Sequence, residues 1–262
     1  MVNTLTGWTG RQAIRSGVYI VDLTVFIQLA IRDWLFRGRF FNRATYRSLV
    51  NQLLFTGVDA LPLVSLLSLA VGVAITSQLI HLTSDFTEAA DIIETLAVLT
   101  TYEVSPFLTA IILVARSGSA ISVDLGNMKL HGEIEGLELL GINLNDYLIA
   151  PRLIAGAISQ LVLAIYFSGI ALYGGLIAAG ILYSTSYLFF FDNLLIAHTP
   201  DTLLLFVFKN LVFGLVIAGT ACYHALQVAG SSTEVPRQTQ RVIVNSLAII
   251  AVFDGLLAVA AL

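Results

Sequence analysis

Long apolar runs follow one another along this chain, separated by polar breaks, and none shows the strict alternation of a half-buried strand. Five of them, roughly 53–80, 91–115, 151–182, 202–226 and 242–262, reach the length of about 20 residues that a helix needs to cross a bilayer. In lipid the backbone must satisfy its own polar groups, which leaves helices or closed barrels. A barrel would need alternating segments of about ten residues. The pattern therefore predicts an all-α integral membrane protein with five transmembrane helices. Ahead of the first, GVYIVDLTVFIQLAIRDWLFRGRFF (17–41) is apolar but broken by Asp22, Gln28, Arg32 and Asp33. With Trp34 and its flanking arginines it predicts a helix lying in the membrane interface; a sixth, tilted span is the alternative. The chain thus divides into an interfacial region, 1–48, and a five-span domain, 49–262.

Composition sharpens this. Only 11% of residues are charged and 57% are hydrophobic, with a mean hydropathy of +0.88, whereas a soluble domain carries about 25% charged residues. The first 17 residues have no apolar core before a small-residue site, so no cleaved signal peptide is expected. Cys222 is the single cysteine, which excludes an internal disulfide. Net charge, −4, says less than its placement. Twelve of the thirteen basic residues fall before the first span, in or at the edges of 116–152, or in 227–241. The connections 81–90 and 183–201 hold none, and carry Asp85, Glu88, Asp192 and Asp201 instead. The positive-inside rule then places the N-terminus and 116–152 in the cytoplasm and the C-terminus outside.

Three ionisable residues lie inside spans: Glu103, Lys209 and Asp254. A charge at mid-helix costs roughly 2.5–3.5 kcal/mol even on insertion scales, so such residues face a bundle interior or a wet cavity and pair with one another. Distances from the span ends put Lys209 and Asp254 at similar depth, with Glu103 deeper. The cluster reads either as polar glue between helices or as the lining of a cavity for a charged or amphiphilic cargo. Pro106, three residues after Glu103, removes a backbone hydrogen bond and predicts a kink there. Ala171, Gly175 and Ala179 form a small-residue stripe that predicts close helix packing. His81 and His198 lack metal-ligand spacing. Without a Walker motif, CxxC pair or nucleophile elbow, the chain reads as non-catalytic, with no metal or cofactor of its own. Any energy must come from a partner or an ion gradient.

The 116–152 connection is too polar for lipid. Its middle, about 124–140, predicts one short helix with Asp124 near its start, an apolar side of Leu125, Met128, Ile134 and Leu137, and acids Glu133, Glu135 and Glu138. Arg116 with Ser117, Gly118, Ser119 and Ala120 is expected to end the second span and turn the chain into that helix.

In order, the chain shows E-x-x-P at 103–106, A-R-S-G-S-A at 115–120, D-L-G-x-M at 124–128, I-E-G-L-E-L-L-G at 134–141 and Y-L-I-A-P-R at 147–152. This succession closely resembles the MlaE/YrbE permease family, the membrane subunits of ABC transporters that move phospholipids or other lipids with MCE-domain proteins. The resemblance runs from about residue 45 to the end. It implies a permease dimer in a bacterial inner membrane, two cytoplasmic ATPases that bind ATP and Mg, an MCE assembly on the outer face, and in some systems a small STAS-type subunit. It also implies that Glu103, Lys209 and Asp254, with Tyr102 where the family often has arginine, line a lipid cavity. Asp124, Met128, Lys129, Glu133, Glu135 and Glu138 would then form the coupling helix, framed by Arg116, Gly118, Ser119, Pro151 and Arg152. Gly132-Glu133-Ile134 stands where the family commonly has Glu-Gln-Ile, and Gly132 is expected to weaken the coupling helix by up to about 1 kcal/mol relative to alanine. An ion-coupled transporter or channel using the Glu/Lys/Asp cluster is the competing reading, and a scaffold whose polar residues only hold helices together is a third.

Overall fold

The computed structural model describes residues 2–36, 43–83, 95–183 and 200–260. Asp85, Glu88, Asp192 and His198 lie outside the described residues. Among the described residues the chain is helical with no strand, and five helical stretches are long and apolar enough to cross a membrane. They are Tyr46–Leu79, Thr95–Leu130, Asn145–Ile181, Pro200–Ala225 and Glu234–Ala260.

Helix α1 (Val2–Phe36) precedes them and is not among the spans. This helix begins fifteen residues before residue 17, where the apolar pattern starts. Leu23, Ala30 and Trp34 are its buried face. The first span is built from α2 (Arg43–Thr56), a 3-10 turn at Val58–Ala60 and α3 (Leu61–Thr83).

The second span contains two π-turns, Leu99–Val104 and Val114–Gly118, around α4 (Ser105–Leu113), and it runs straight on into α5 (Ser119–Leu130). Two expectations change here. The chain does not turn at Arg116 and Gly118: the helix continues through them into α5 without a break. The helix expected over 124–140 is two helices: α5 stops at Leu130, and α6 (Glu133–Leu139) begins after Gly132, whose φ is 73°. A residue in the left-handed region cannot continue an α-helix, and glycine takes that conformation without the penalty a Cβ would bring. A third π-turn, Asn145–Ile149, opens α7 (Ala150–Tyr183). The last two spans are α8 (Pro200–Ala225) and α9 (Glu234–Ala260).

Small residues set the packing. A Cβ added at Gly72 would overlap the backbone of Ala171, and one at Gly175 would overlap the Thr76 hydroxyl. The stripe on α7 thus lets α3 approach it backbone to backbone. The main core joins all five spans through Val64, Leu113, Leu163, Phe167, Phe213, Ile217 and Ile250. Buried polar groups cross it in pairs: Gln160 Nε2 donates to the Pro106 carbonyl at 3.1 Å and to Asn210 Oδ1 at 3.2 Å. Ser105 Oγ donates to the Ala164 carbonyl at 2.5 Å. Each removes an unpaired polar group from an apolar setting, where it would cost about 1–3 kcal/mol.

Candidate functional site: an ion triad within the spans

Lys209 on α8 is 1% exposed. Its ammonium donates to Glu103 Oε2 at 2.9 Å and to the Tyr102 carbonyl at 2.8 Å, and it is ion-paired with Asp254 Oδ1 at 2.6 Å. Residues from the second, fourth and fifth spans therefore meet at one point. An ammonium has three donors, and three oxygens surround this one: two accept hydrogen bonds, and Asp254 Oδ1 is an ion-pair partner without hydrogen-bond geometry.

The Tyr102 carbonyl is available because of Pro106. Proline has no N–H, so the carbonyl four residues before it, that of Tyr102, loses its α-helical donor. The π-turn at Leu99–Val104 widens the helix at the same place, and the Lys209 ammonium takes the freed oxygen. The Tyr102 ring itself points away from the triad's ammonium contact. It is buried, lies edge-on to Phe206 with centroids 6.0 Å apart, and its hydroxyl accepts from Thr202 Oγ1 at 2.9 Å. The backbone of Tyr102, not its side chain, joins the triad.

The three charges differ in exposure. Lys209 and Asp254 side chains are 2% and 17% exposed, whereas Glu103 is 40% exposed. One carboxylate of the triad thus reaches the surface of the single chain. The triad leaves one excess negative charge, so the site as a whole favours cationic or hydrogen-bond-donating groups at Glu103.

At the other end of the spans, the residues read as a loop motif act as ties between helices. Arg116 Nη1 donates to the Phe55 carbonyl at 2.9 Å, and its guanidinium lies 5.7 Å above the Phe55 ring and 3.5 Å from Asp59. Ser119 Oγ donates back to the Ala115 carbonyl at 2.5 Å. Gly118 faces Ile217 closely enough that a Cβ there would stand 3.3 Å from its methyl. Pro151 is buried at the start of α7. Arg152, in the first turn of α7, is buried, and its Nη2 donates to Asp124 Oδ2 at 2.5 Å, pinning α5 to α7. Met128 packs against a second core with Leu125, Leu148 and Leu153.

Lys129 and Glu135 form a close ion pair across the Gly132 turn, and this hydrogen bond holds the Glu135 carboxyl below its ordinary range. Glu133 and Glu138 are exposed. Beyond them stand two residues missed in the sequence, Leu139 and Leu140, 89% and 76% exposed. Leu139 ends α6 and Leu140 caps it, and a Leu-Leu pair in an apolar chain gives no signal until its helix is seen to end there.

A third polar group was also missed. His224 at the end of α8 has the Tyr19 hydroxyl and the Asn245 amide nitrogen 3.0 and 3.1 Å from its Nε2, and Gln238 Oε1 3.3 Å from its Nδ1. It joins α1 to the fourth and fifth spans. Burial pushes the Tyr19 hydroxyl pKa up.

Five spans, charges paired between three of them and a polar helical hairpin define a polytopic membrane protein. Residues 49–260 match the family described as Permease MlaE, and the chain belongs to that family. It is 25% identical to a probable ABC transporter permease protein of Synechocystis, over 86% of this chain and 88% of the relative. It is 29% identical to the chloroplastic protein trigalactosyldiacylglycerol 1 of Arabidopsis thaliana, over 81% of this chain and 61% of the relative. Over 51% of each chain it is 32% identical to the intermembrane phospholipid transport system permease protein MlaE of Haemophilus influenzae.

Proposed function

We propose that this chain is the membrane-spanning subunit of an ABC transporter for phospholipid or a related lipid, with Glu103, Lys209 and Asp254 forming the polar part of the lipid path. The observation that carries this reading is the half-exposed Glu103 carboxylate held by a fully buried lysine. A lipid headgroup amine or hydroxyl can meet that oxygen without disturbing the Lys209–Asp254 pair. Family membership and the relatives' names support a lipid as cargo.

The remainder of the assembly follows in the same reading. A second copy of the chain faces Glu103. A separate cytoplasmic ATPase supplies ATP, Mg and the hydrolysis step, and docks on the α5–α6 hairpin. An MCE-domain protein sits on the outer face, with a STAS-type subunit as an accessory. The membrane is the bacterial inner membrane, the N-terminus is cytoplasmic and the C-terminus periplasmic. The basic residues Arg116, Lys129, Arg152, Arg237 and Arg241 on one side of the spans support that orientation.

The test is co-purification of tagged wild type and Glu103→Ala from native membranes, followed by a lipid-transfer assay on what is recovered. A P-loop ATPase should accompany both, with transfer reduced tenfold or more, about 1.4 kcal/mol or more, only in the variant. Recovery of the wild-type chain without an ATPase overturns the proposal in favour of ion-coupled transport through the triad. Loss of assembly in Glu103→Ala would make the triad structural glue.

A further inference from the structure

The last span carries a second amphipathic feature that the triad does not use. Asn245, Ile249, Val252 and Leu256 on α9 face Tyr19 and Ile20 on α1 across a groove of about 600 Å³, a size typical of small-molecule sites. Val252 and Leu256 are each 64% exposed. One end of the groove is polar, where Asn245 and Tyr19 converge on His224. One turn further toward the start of α9, on the same face by i, i+4 spacing, stands the exposed Arg241.

The dimensions single out an occupant. From Asn245 to Leu256 the helix rises about 16 Å at 1.5 Å per residue, and half of a hydrocarbon core about 30 Å thick is about 15 Å. The groove is thus one leaflet deep, with apolar walls beyond its polar end, and Arg241 stands just outside its lining with Nη1 3.4 Å from Gln238 Oε1. At the apolar end, Phe253 packs edge-on against Phe213 with centroids 6.2 Å apart, and the next residue, Asp254, belongs to the triad.

We propose that this groove seats one phospholipid of the cytoplasmic leaflet, its phosphate at Arg241 and Asn245 and one acyl chain along Ile249, Val252 and Leu256. Guanidinium and phosphate form charge-assisted, often bidentate hydrogen bonds, and lipid is the solvent of an apolar wall at this depth. The seat rests on the orientation proposed above and delivers a lipid to the flank of the triad.

Native mass spectrometry of the full-length protein in detergent, titrated with dioleoyl phosphatidylglycerol, tests it. One lipid per chain should be retained. Arg241→Gln should weaken retention about tenfold, the scale of one lost charged hydrogen bond. Ile249→Trp with Val252→Trp should abolish retention, and thermal melting checks that these variants are folded. Transfer is read in Glu103→Ala, and retention in Arg241→Gln and the tryptophan variant, so failure of the lipid path proposed above and failure of the seat are separate results. Unchanged retention in the tryptophan-filled variant overturns the seat. Retention of dioleoylglycerol as tight as that of phosphatidylglycerol overturns the phosphate contact. A disulfide between copies of Val252→Cys, with Cys222 fully buried, would show that a second chain, not lipid, covers the groove.

Discussion

Lys209 is flanked by two carboxylates, and this makes its loss unlike the loss of either partner. Removing Glu103 leaves an ammonium still paired with Asp254 and the Tyr102 carbonyl. Removing Lys209 leaves two carboxylates facing one site with no cation, and breaking a buried pair costs about 3–5 kcal/mol. Partial exposure of Glu103 puts Lys209→Ala at the lower end, about 3 kcal/mol, read as a fall in thermal stability or folded yield in detergent. Glu103→Ala should melt within a few degrees of wild type. The three charges were legible in the sequence because ionisable residues inside spans are rare. The consequence of Pro106 was only half legible. A kink is what its chemistry suggests, but which group would claim the freed carbonyl depends on a helix one hundred residues away. The Arg152–Asp124 contact was not legible for a related reason: an arginine at a span edge looks the same whether it reaches for water or is buried against a carboxylate.

At the scale of elements, the α5–α6 hairpin departs furthest from what the pattern suggested, and Gly132 is the cause. Read as a helix interior, Gly132→Ala should stabilise by up to about 1 kcal/mol. With φ at 73° the sign reverses, because an L-residue in that region costs roughly 1–2 kcal/mol. Faster hydrogen exchange at Lys129–Glu135 in Gly132→Ala would verify this; slower exchange would restore the single helix. The apolar side expected for the segment is present, with Leu125 and Ile134 buried, so periodicity was sound even where continuity was not. Leu139 and Leu140 touch little within the chain. Leu139→Asp with Leu140→Asp should therefore leave the melting temperature unchanged and weaken ATPase co-purification at least tenfold, if that partner docks here. Helix capping and left-handed turns were hard to foresee because one glycine can serve either purpose.

For the whole molecule, five spans and a separate α1 were readable from length and hydropathy alone, and the small residues foretold where backbones meet. The three π-turns were not readable, since a wide turn differs from an α-turn by one hydrogen bond and leaves no compositional trace. Two of them lie in the helical stretch that runs unbroken from Thr95 to Leu130, through Arg116. Orientation is a property of the entire chain and is tested as one. Ser231 is exposed between the fourth and fifth spans, so Ser231→Cys in intact cells should react with a membrane-permeant maleimide and not with an impermeant one. Labelling by both would invert the topology.

The triad also bears on how the protein is made. Its members come from the second, fourth and fifth spans, and chains emerge N-terminus first. When α8 enters the bilayer, Glu103 is already there to receive Lys209, so the costly cation never has to wait unpaired for the final helix. Asp254 arrives last, carried by a span that is mostly uncovered by the rest of the chain. Its attraction to the waiting Lys209 gives that helix a rotational register which its apolar surface alone would not supply. The ion pair is in this sense a latch for biogenesis, closed by the last helix to be synthesised.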